Sequence, residues 1–168
     1  MAAAHGLSAA LEAWEGSVTE FLESLVGEAV AARFEQRTTT GGVDRSLHLG
    51  PGEPLTFRTA MLRGRRSGRA FVYAESTIAT ARLAREVVHR LWTTSDPIGR
   101  VLSEHGLVVH RAALGSPPPP PSWAGAGRWG RPDDSLHARH YRLDVGTVAV
   151  MTISEWFLPE LATFLPGA

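Results

Sequence analysis

The stretch that decides the fold is LHARHYRLDVGTVAVMTISEWF, residues 136–157. It reads as two strands, Leu136 to Leu143 and Thr147 to Phe157, joined by a tight turn at Asp144-Val145-Gly146. A link that short makes the strands antiparallel neighbours. Side chains alternate across a strand, so Glu155 should share a face with Ala149, Met151, Ile153 and Phe157. A carboxylate on an apolar face is costly to bury unless it meets a partner or a ligand. The plainer alternative is a strand-end glutamate in water or beside an arginine.

Working upstream, a second hairpin is expected, with strands Leu55 to Leu62 and Ala70 to Ile78 and the turn Gly64-Arg65-Arg66-Ser67-Gly68. Ala29 to Thr40 alternates as a strand with one partly polar face, and Leu107 to Leu114 reads as another. Ser17, with Glu20 three residues on, predicts a capped helix carrying Val18, Phe21, Leu22, Leu25 and Val26, stopped by Gly27. Thr80 to Trp92 reads as an amphipathic helix with Leu83, Val87, Val88 and Leu91 on one stripe. Asp96-Pro97 opens a short helix, Pro97 to Glu104, with Pro97 in its first position and Gly106 as its end. Pro117 to Pro121 is a stiff polyproline run, followed to about Asp134 by a long ordered loop or flap. Residues 1–16 are expected to be a poorly ordered or short helical extension. The pattern predicts an α+β domain on an antiparallel sheet.

Composition narrows the chemistry. The 168 residues, 43% hydrophobic, suit one domain with one core. The 17 acidic residues balance 17 basic ones, so no global field draws nucleic acid or an acidic membrane. Every basic residue is arginine, which removes Schiff-base and P-loop lysine chemistry. Cysteine is absent, which removes thiol catalysis, disulfides and cysteine metal sites. No signal peptide and no run of membrane-spanning length is evident, so a cytoplasmic location is the expectation. The sequence does not fix the oligomeric state, for which a monomer is the favoured expectation.

Arg58, mid-strand between Phe57 and Thr59, shares its face with Ala60 and Leu62 and could bind a carboxylate bidentately. The alternative is an edge arginine that snorkels. Arg139, between Ala138 and His140, is a third candidate for the same pocket or an ordinary surface arginine. Asp96-Pro97-Ile98-Gly99 places free backbone N–H groups at a helix start, which suits a carboxylate or is simply a capped helix. His137 and His140 should point to opposite faces, and His105 and His110 straddle a turn, so neither pair has zinc geometry. No nucleophile-elbow, dinucleotide or Walker pattern is present. The arginines from Arg63 to Arg69 read as a solvated hairpin turn.

These residues, in this order, resemble the chorismate pyruvate-lyases, most closely the actinobacterial branch that supplies 4-hydroxybenzoate to specialised metabolism. The resemblance runs from about Val18 to Pro159. Its marks are Val18-Thr19-Glu20-Phe21-Leu22-Glu23, Gln36-Arg37, Phe57-Arg58, Tyr73-Ala74-Glu75-Ser76, Asp96-Pro97-Ile98-Gly99, Ala138-Arg139-His140-Tyr141-Arg142 and Glu155-Trp156-Phe157-Leu158-Pro159. It implies a six-stranded antiparallel sheet with helices packed against it and flaps over a buried cavity. It implies that Arg58 binds a ring carboxylate, that Glu155 hydrogen-bonds the ring hydroxyl, and that a backbone N–H at Ile98 joins the carboxylate site. Glu35 falls near a flap contact. Ser76 stands where the ubiquinone-pathway branch has an arginine, and His140 replaces a common second arginine, leaving Arg139, Arg37 or Arg142 to hold an enolpyruvyl carboxylate.

The implied activity is conversion of chorismate to 4-hydroxybenzoate and pyruvate without cofactor or metal. Its partner is a small molecule, with neither nucleic acid nor membrane. Two alternatives are an enzyme of this fold acting on another ring, and a non-catalytic small-molecule-binding domain. The effector domains of one class of bacterial repressors share the fold. Those carry a winged-helix domain ahead of it, for which too few residues precede Val18 here, so binding alone is the lesser expectation.

Overall fold

In the computed structural model, which describes residues 2–124 and 129–165, six strands form one antiparallel sheet. They are β1 (Val30–Thr39), β2 (Leu55–Gly64), β3 (Ala70–Ile78), β4 (Val109–Gly115), β5 (His137–Val145) and β6 (Val148–Phe157), in the order β1-β2-β3-β6-β5-β4. Four helices accompany them: α1 (Ala2–Ala13), α2 (Val18–Val26), α3 (Arg85–Thr93) and α4 (Ile98–Glu104). The two hairpins meet along β3 and β6, so the last strand read from sequence lies inside the sheet, paired on both sides. That explains why its residues from Met151 to Phe157 are all buried.

One face, the inner one, carries the helices. Leu7 and Leu11 of α1 and Phe21 and Leu22 of α2 pack with Val30, Leu62, Val72 and Phe157. Val87 and Leu91 of α3 and Val101 and Leu102 of α4 pack with Ile78, Tyr141, Leu143 and Met151. Each such side chain contributes about 1.5–3 kcal/mol by leaving water. The N-terminal extension is therefore helical and part of the core. The capping box forms as read: Ser17 Oγ accepts from the Glu20 N–H at 3.2 Å, and Glu20 accepts from the Ser17 N–H at 2.7 Å. Gly27 closes α2 at φ 70°, a left-handed backbone that favours glycine.

Three local readings need correction. Thr80 to Trp92 is not one helix: a 3-10 turn, Thr80–Arg82, is followed by extended Leu83 and Ala84 before α3 begins. Arg82 is anchored by Glu53 and by the carbonyls of Leu47 and Ala149, which holds that turn against the 45–53 segment and off the helix axis. Pro97 stands outside α4 as its N-cap residue, with ψ 150°. Asp96 cannot cap because Arg90 and Thr94 hold its carboxylate. Finally, β5 and β6 slip register where Leu143 opposes Met151 and Asp144 opposes Ala149. The irregularity at Val150 turns Ala149 away from Glu155's stripe, toward Leu47 and Leu55.

The outer face is covered by chain segments. Asp44 reaches Thr152, Trp123 meets Phe57 edge-on at 5.9 Å, and Arg131 pairs with Glu75. The described part of the proline-rich loop thus covers the face opposite the helices; residues 125–128 lie outside the described part. Among the described residues, no helix is long and apolar enough to cross a membrane.

Candidate active site on the inner face of the sheet

Between the two apolar clusters lies a cavity of about 50 Å³. Strand register sets its floor. Ala60 opposes Ala74, and Ala74 opposes Glu155, so small residues leave room beside the carboxylate. Ser17, Val18 and Thr19 at the start of α2 and Pro97, Ile98 and Gly99 at the start of α4 form the wall above. The two helix starts touch: a Cβ on Gly99 would sit 2.6 Å from Ser17 Cβ. Glycine is needed there for close approach, whatever its dihedrals.

Arg58 occupies one side. It is 1% exposed, with Gln36 and Ser76 as its strand neighbours. Its Nη1 donates to the Leu91 carbonyl at 2.6 Å, and its guanidinium stacks on Phe34 at 3.6 Å. Its Nε and Nη2 have no hydrogen-bond partner among the described residues. Burial pulls its pKa down to about 10, which still leaves it charged at neutral pH. A buried cation with two unpartnered donor nitrogens and, among the described residues, no ion-paired carboxylate is complementary to an anion.

Glu155 is also buried, at 5% exposure, but it is partnered. Arg139, directly opposite on β5, donates through Nε at 2.7 Å, and the Tyr141 hydroxyl donates at 3.0 Å. Burial, and then the Glu155 charge, pushes the Tyr141 phenol above its usual pKa, so it stays a donor. Burial works against the Arg139 charge, but Glu155 outweighs it and holds the guanidinium above its ordinary value. Each carboxylate oxygen can accept more than one hydrogen bond, so Glu155 keeps capacity for a ligand hydroxyl.

Of the residues singled out from sequence, Arg58, Ser76, Ile98, Gly99 and Glu155 line this one cavity. Arg139 stands behind Glu155 as its partner. Glu35 and Arg37 do not come to it: they oppose Thr59 and Phe57, so they lie on the outer face, and both are exposed. The β1 residues on Arg58's face are Phe34 and Gln36, one step out of phase. Arg142 is held by Asp144. Two residues escaped the sequence reading. Tyr141 alternates with Arg139 and Leu143 on Glu155's face, a signal present in the period-two pattern. Arg111, on edge strand β4, lines the mouth of the cavity and faces the Tyr141 ring at 6.0 Å. Finding it required the β4–β5 register, which places Arg111 opposite Leu143. Among the described residues, no three His, Asp or Glu groups gather as metal ligands.

No protein-family model matches the chain. It is 33% identical over 102 residues to the chorismate pyruvate-lyase of Mycobacterium tuberculosis, in strains CDC 1551 and H37Rv, and to that of Mycobacterium bovis. The match covers 60% of this chain and 51% of each relative, so the chain spans about half the length of the curated relatives it matches. Among solved structures it is similar to PhnF from Mycobacterium smegmatis, with a TM-score of 0.50 at 12% identity, over 88% of this chain and 66% of that one. That likeness concerns the fold.

Proposed function

We propose that this chain is a small-molecule enzyme whose inner cavity binds an aromatic carboxylic acid or its ring precursor. More particularly, we propose a cofactor-independent chorismate pyruvate-lyase. The observation that carries the reading is Arg58: a buried guanidinium with two unpartnered donor nitrogens beside a cavity. The likeness to the mycobacterial lyases supports the choice of chorismate.

In the proposed reaction the ring carboxylate pairs with Arg58, and the first-turn N–H groups of α4 at Ile98 and Gly99 add to that site. Glu155, oriented by Arg139 and Tyr141, accepts a hydrogen bond from the ring hydroxyl at C4. The C3–O bond breaks and its electron pair leaves with enolpyruvate. The C4 hydrogen departs as a proton, and the C4–H pair completes the aromatic ring. Enolpyruvate gains a proton and becomes pyruvate. Aromatisation drives the step, so the protein's task is to hold one reactive conformer away from water. Positioning can supply roughly 7–11 kcal/mol of such a barrier. Arg111 at the mouth is the candidate for the enolpyruvyl carboxylate, since Arg139 and Arg142 are paired and Arg37 faces away.

The second reading, another ring substrate on the same site, is favoured by Ser76, which puts a hydroxyl where the resemblance leads one to expect a guanidinium. Mixing chorismate with the protein and quantifying 4-hydroxybenzoate and pyruvate tests the proposal. Equimolar products are expected. Neither product, with 4-hydroxybenzoate still bound, would favour a different ring or a binding-only role.

A further inference from the structure

The outer face of the sheet is polar where it is most buried. Thr77, Thr152 and Ser154 are 6%, 4% and 5% exposed there. Thr77 and Thr152 are register partners, and Ser154 follows two residues along β6, so their hydroxyls share one face. Apolar residues are the ordinary occupants of a covered sheet face, because buried hydroxyls cost free energy unless each is matched. Here the covering segments instead enclose a cavity of about 300 Å³, walled by Phe57 and by Pro118, Pro119 and Pro121.

Its charges cancel. Arg131 holds both Glu75 oxygens, at 2.9 and 2.6 Å, and Tyr73 adds a third bond. Asp44 accepts from the Ser46 N–H at 2.9 Å and from Thr152 at 2.7 Å. Arg45, solvent-exposed at the rim and next to Asp44 in the chain, is the remaining cation of the lining. His140 completes the wall. Its Nδ1 is 3.2 Å from the Ile153 carbonyl and 2.9 Å from Ser154 Oγ. A carbonyl only accepts, so the tautomer that satisfies the Ile153 carbonyl is the one with the hydrogen on Nδ1. Nε2 is left as an acceptor, and the Ser154 hydroxyl hydrogen is left to donate. Burial lowers the imidazole's pKa below its ordinary value, which favours the neutral form.

We propose that this outer cavity is a second ligand site, separate from the inner one, for a small uncharged polyhydroxylated ring of sugar or cyclitol type. Paired donors and acceptors on a charge-balanced floor suit hydroxyl groups. Prolyl and aromatic C–H surfaces suit the apolar face of such a ring. A free carboxylate would meet Asp44 and Glu75 there and find no buried guanidinium like Arg58.

The test is a titration of the full 15N-labelled chain with D-glucose and with myo-inositol, using 4-hydroxybenzoate as the anionic comparison. At least one polyol should give saturable shifts centred on Thr77, His140, Thr152 and Ser154, with a Kd of roughly 1 mM. Ser154→Ala should weaken it by up to about tenfold, the loss of one hydrogen bond, and Arg58→Ala should leave it unchanged. Thr77→Val provides the same reading if Ser154→Ala does not fold. The proposal is overturned if neither polyol saturates by about 10 mM, ten times that Kd. It is overturned equally if the shifts centre on the inner cavity, or if folded Ser154→Ala or Thr77→Val binds the polyol like the parent. Failure of 4-hydroxybenzoate to shift inner-face residues would count against the proposed lyase and leave this site standing.

Discussion

The sheet holds two buried glutamates, one on each face, and their surroundings are nearly the same. Glu155 on the inner face is bound by Arg139 and Tyr141; Glu75 on the outer face is bound by Arg131 and Tyr73. They differ in where the arginine comes from. Arg139 is the strand neighbour of Glu155, so sheet register alone fixes that pair. Arg131 arrives from the covering loop, 56 residues away in the chain. The faces differ further in their totals. The outer cavity is charge-balanced once rim Arg45 is counted, whereas the inner one has buried Arg58 and, at its mouth, Arg111 besides its pair. A buried ion pair roughly breaks even against the cost of desolvation, so neither pair is a strong stabiliser. An additional buried cation is a cost, and it points to use rather than to stability.

The largest expected effects test that asymmetry. Arg58→Met should hold or raise Tm, because it removes an unpaired buried charge and keeps apolar volume. It should cost about 2–5 kcal/mol of 4-hydroxybenzoate affinity, the range for losing one side of a buried charged contact. Arg131→Met should do the reverse. Stranding Glu75 without its cation should lower stability by up to about 3–5 kcal/mol, with affinity at the inner site unchanged. Calorimetric titration and thermal melts on both variants check this, and a matched loss of stability in the two would erase the distinction between the faces.

The glutamates themselves come next. Glu155→Gln keeps shape and one acceptor oxygen while removing charge. It should fold, bind, and turn chorismate over more than about tenfold more slowly, roughly 1.4 kcal/mol of barrier. Glu75→Gln should lower Tm and leave turnover per folded molecule near that of the parent. Normal turnover in Glu155→Gln would end the catalytic assignment. A smaller effect, about 1 kcal/mol of stability, is expected for Ser17→Ala through loss of the N-cap. Because Ser17 lines the inner cavity, that variant should also weaken 4-hydroxybenzoate binding and leave outer-face resonances in place.

Much of this asymmetry was legible in the sequence, and the boundary of legibility is physical. Period-two alternation placed Arg58 and Glu155 on buried faces, because one stripe of a strand must face the core. The Ser17–Glu20 pair announced α2 through local hydrogen bonding alone. Glu35 and Arg37 enter through the resemblance rather than through alternation, and β1 alternation alone does not say which of its two stripes meets the helices; Phe34 and Gln36 hold the stripe that does. Arg111 could not be found from its own neighbourhood, since β4 is an exposed edge and its place depends on pairing with β5. Glu75 stands in the Tyr73-Ala74-Glu75-Ser76 stretch without a local sign of its role, because its partner Arg131 sits in a loop without periodicity. The broken helix at Leu83 and Ala84 was hidden for a similar reason: the bonds that hold Arg82 are to residues far away in the chain.

The smallest prediction concerns acid. Burial lowers the pKa of His137 on the inner face and of His140 on the outer face. Near His137, Arg139 adds to that lowering while Glu12 and Glu155 oppose it. Near His140, the Ile153 carbonyl and Asp44 oppose it, and Arg131 reinforces it. With both folded pKa values below the unfolded value of about 6.5, the unfolded chain binds more protons in the interval between them. Stability therefore rises with pH across that interval, and it is lost as pH falls below about 6.5. Glu28, Glu53 and Asp96 are also lowered, but from 4.5, 4.5 and 3.8, so their contributions fade only at stronger acidity. Urea midpoints at about pH 7.5 and 5.5 separate the two groups. The parent should lose stability between them, and His137→Gln and His140→Gln should each lose less. Because His140 is tied to Ser154, its variant should also change the outer-face resonances at pH 7.5, while His137→Gln should not. Identical pH slopes in parent and both variants would show that neither imidazole is held neutral by the fold.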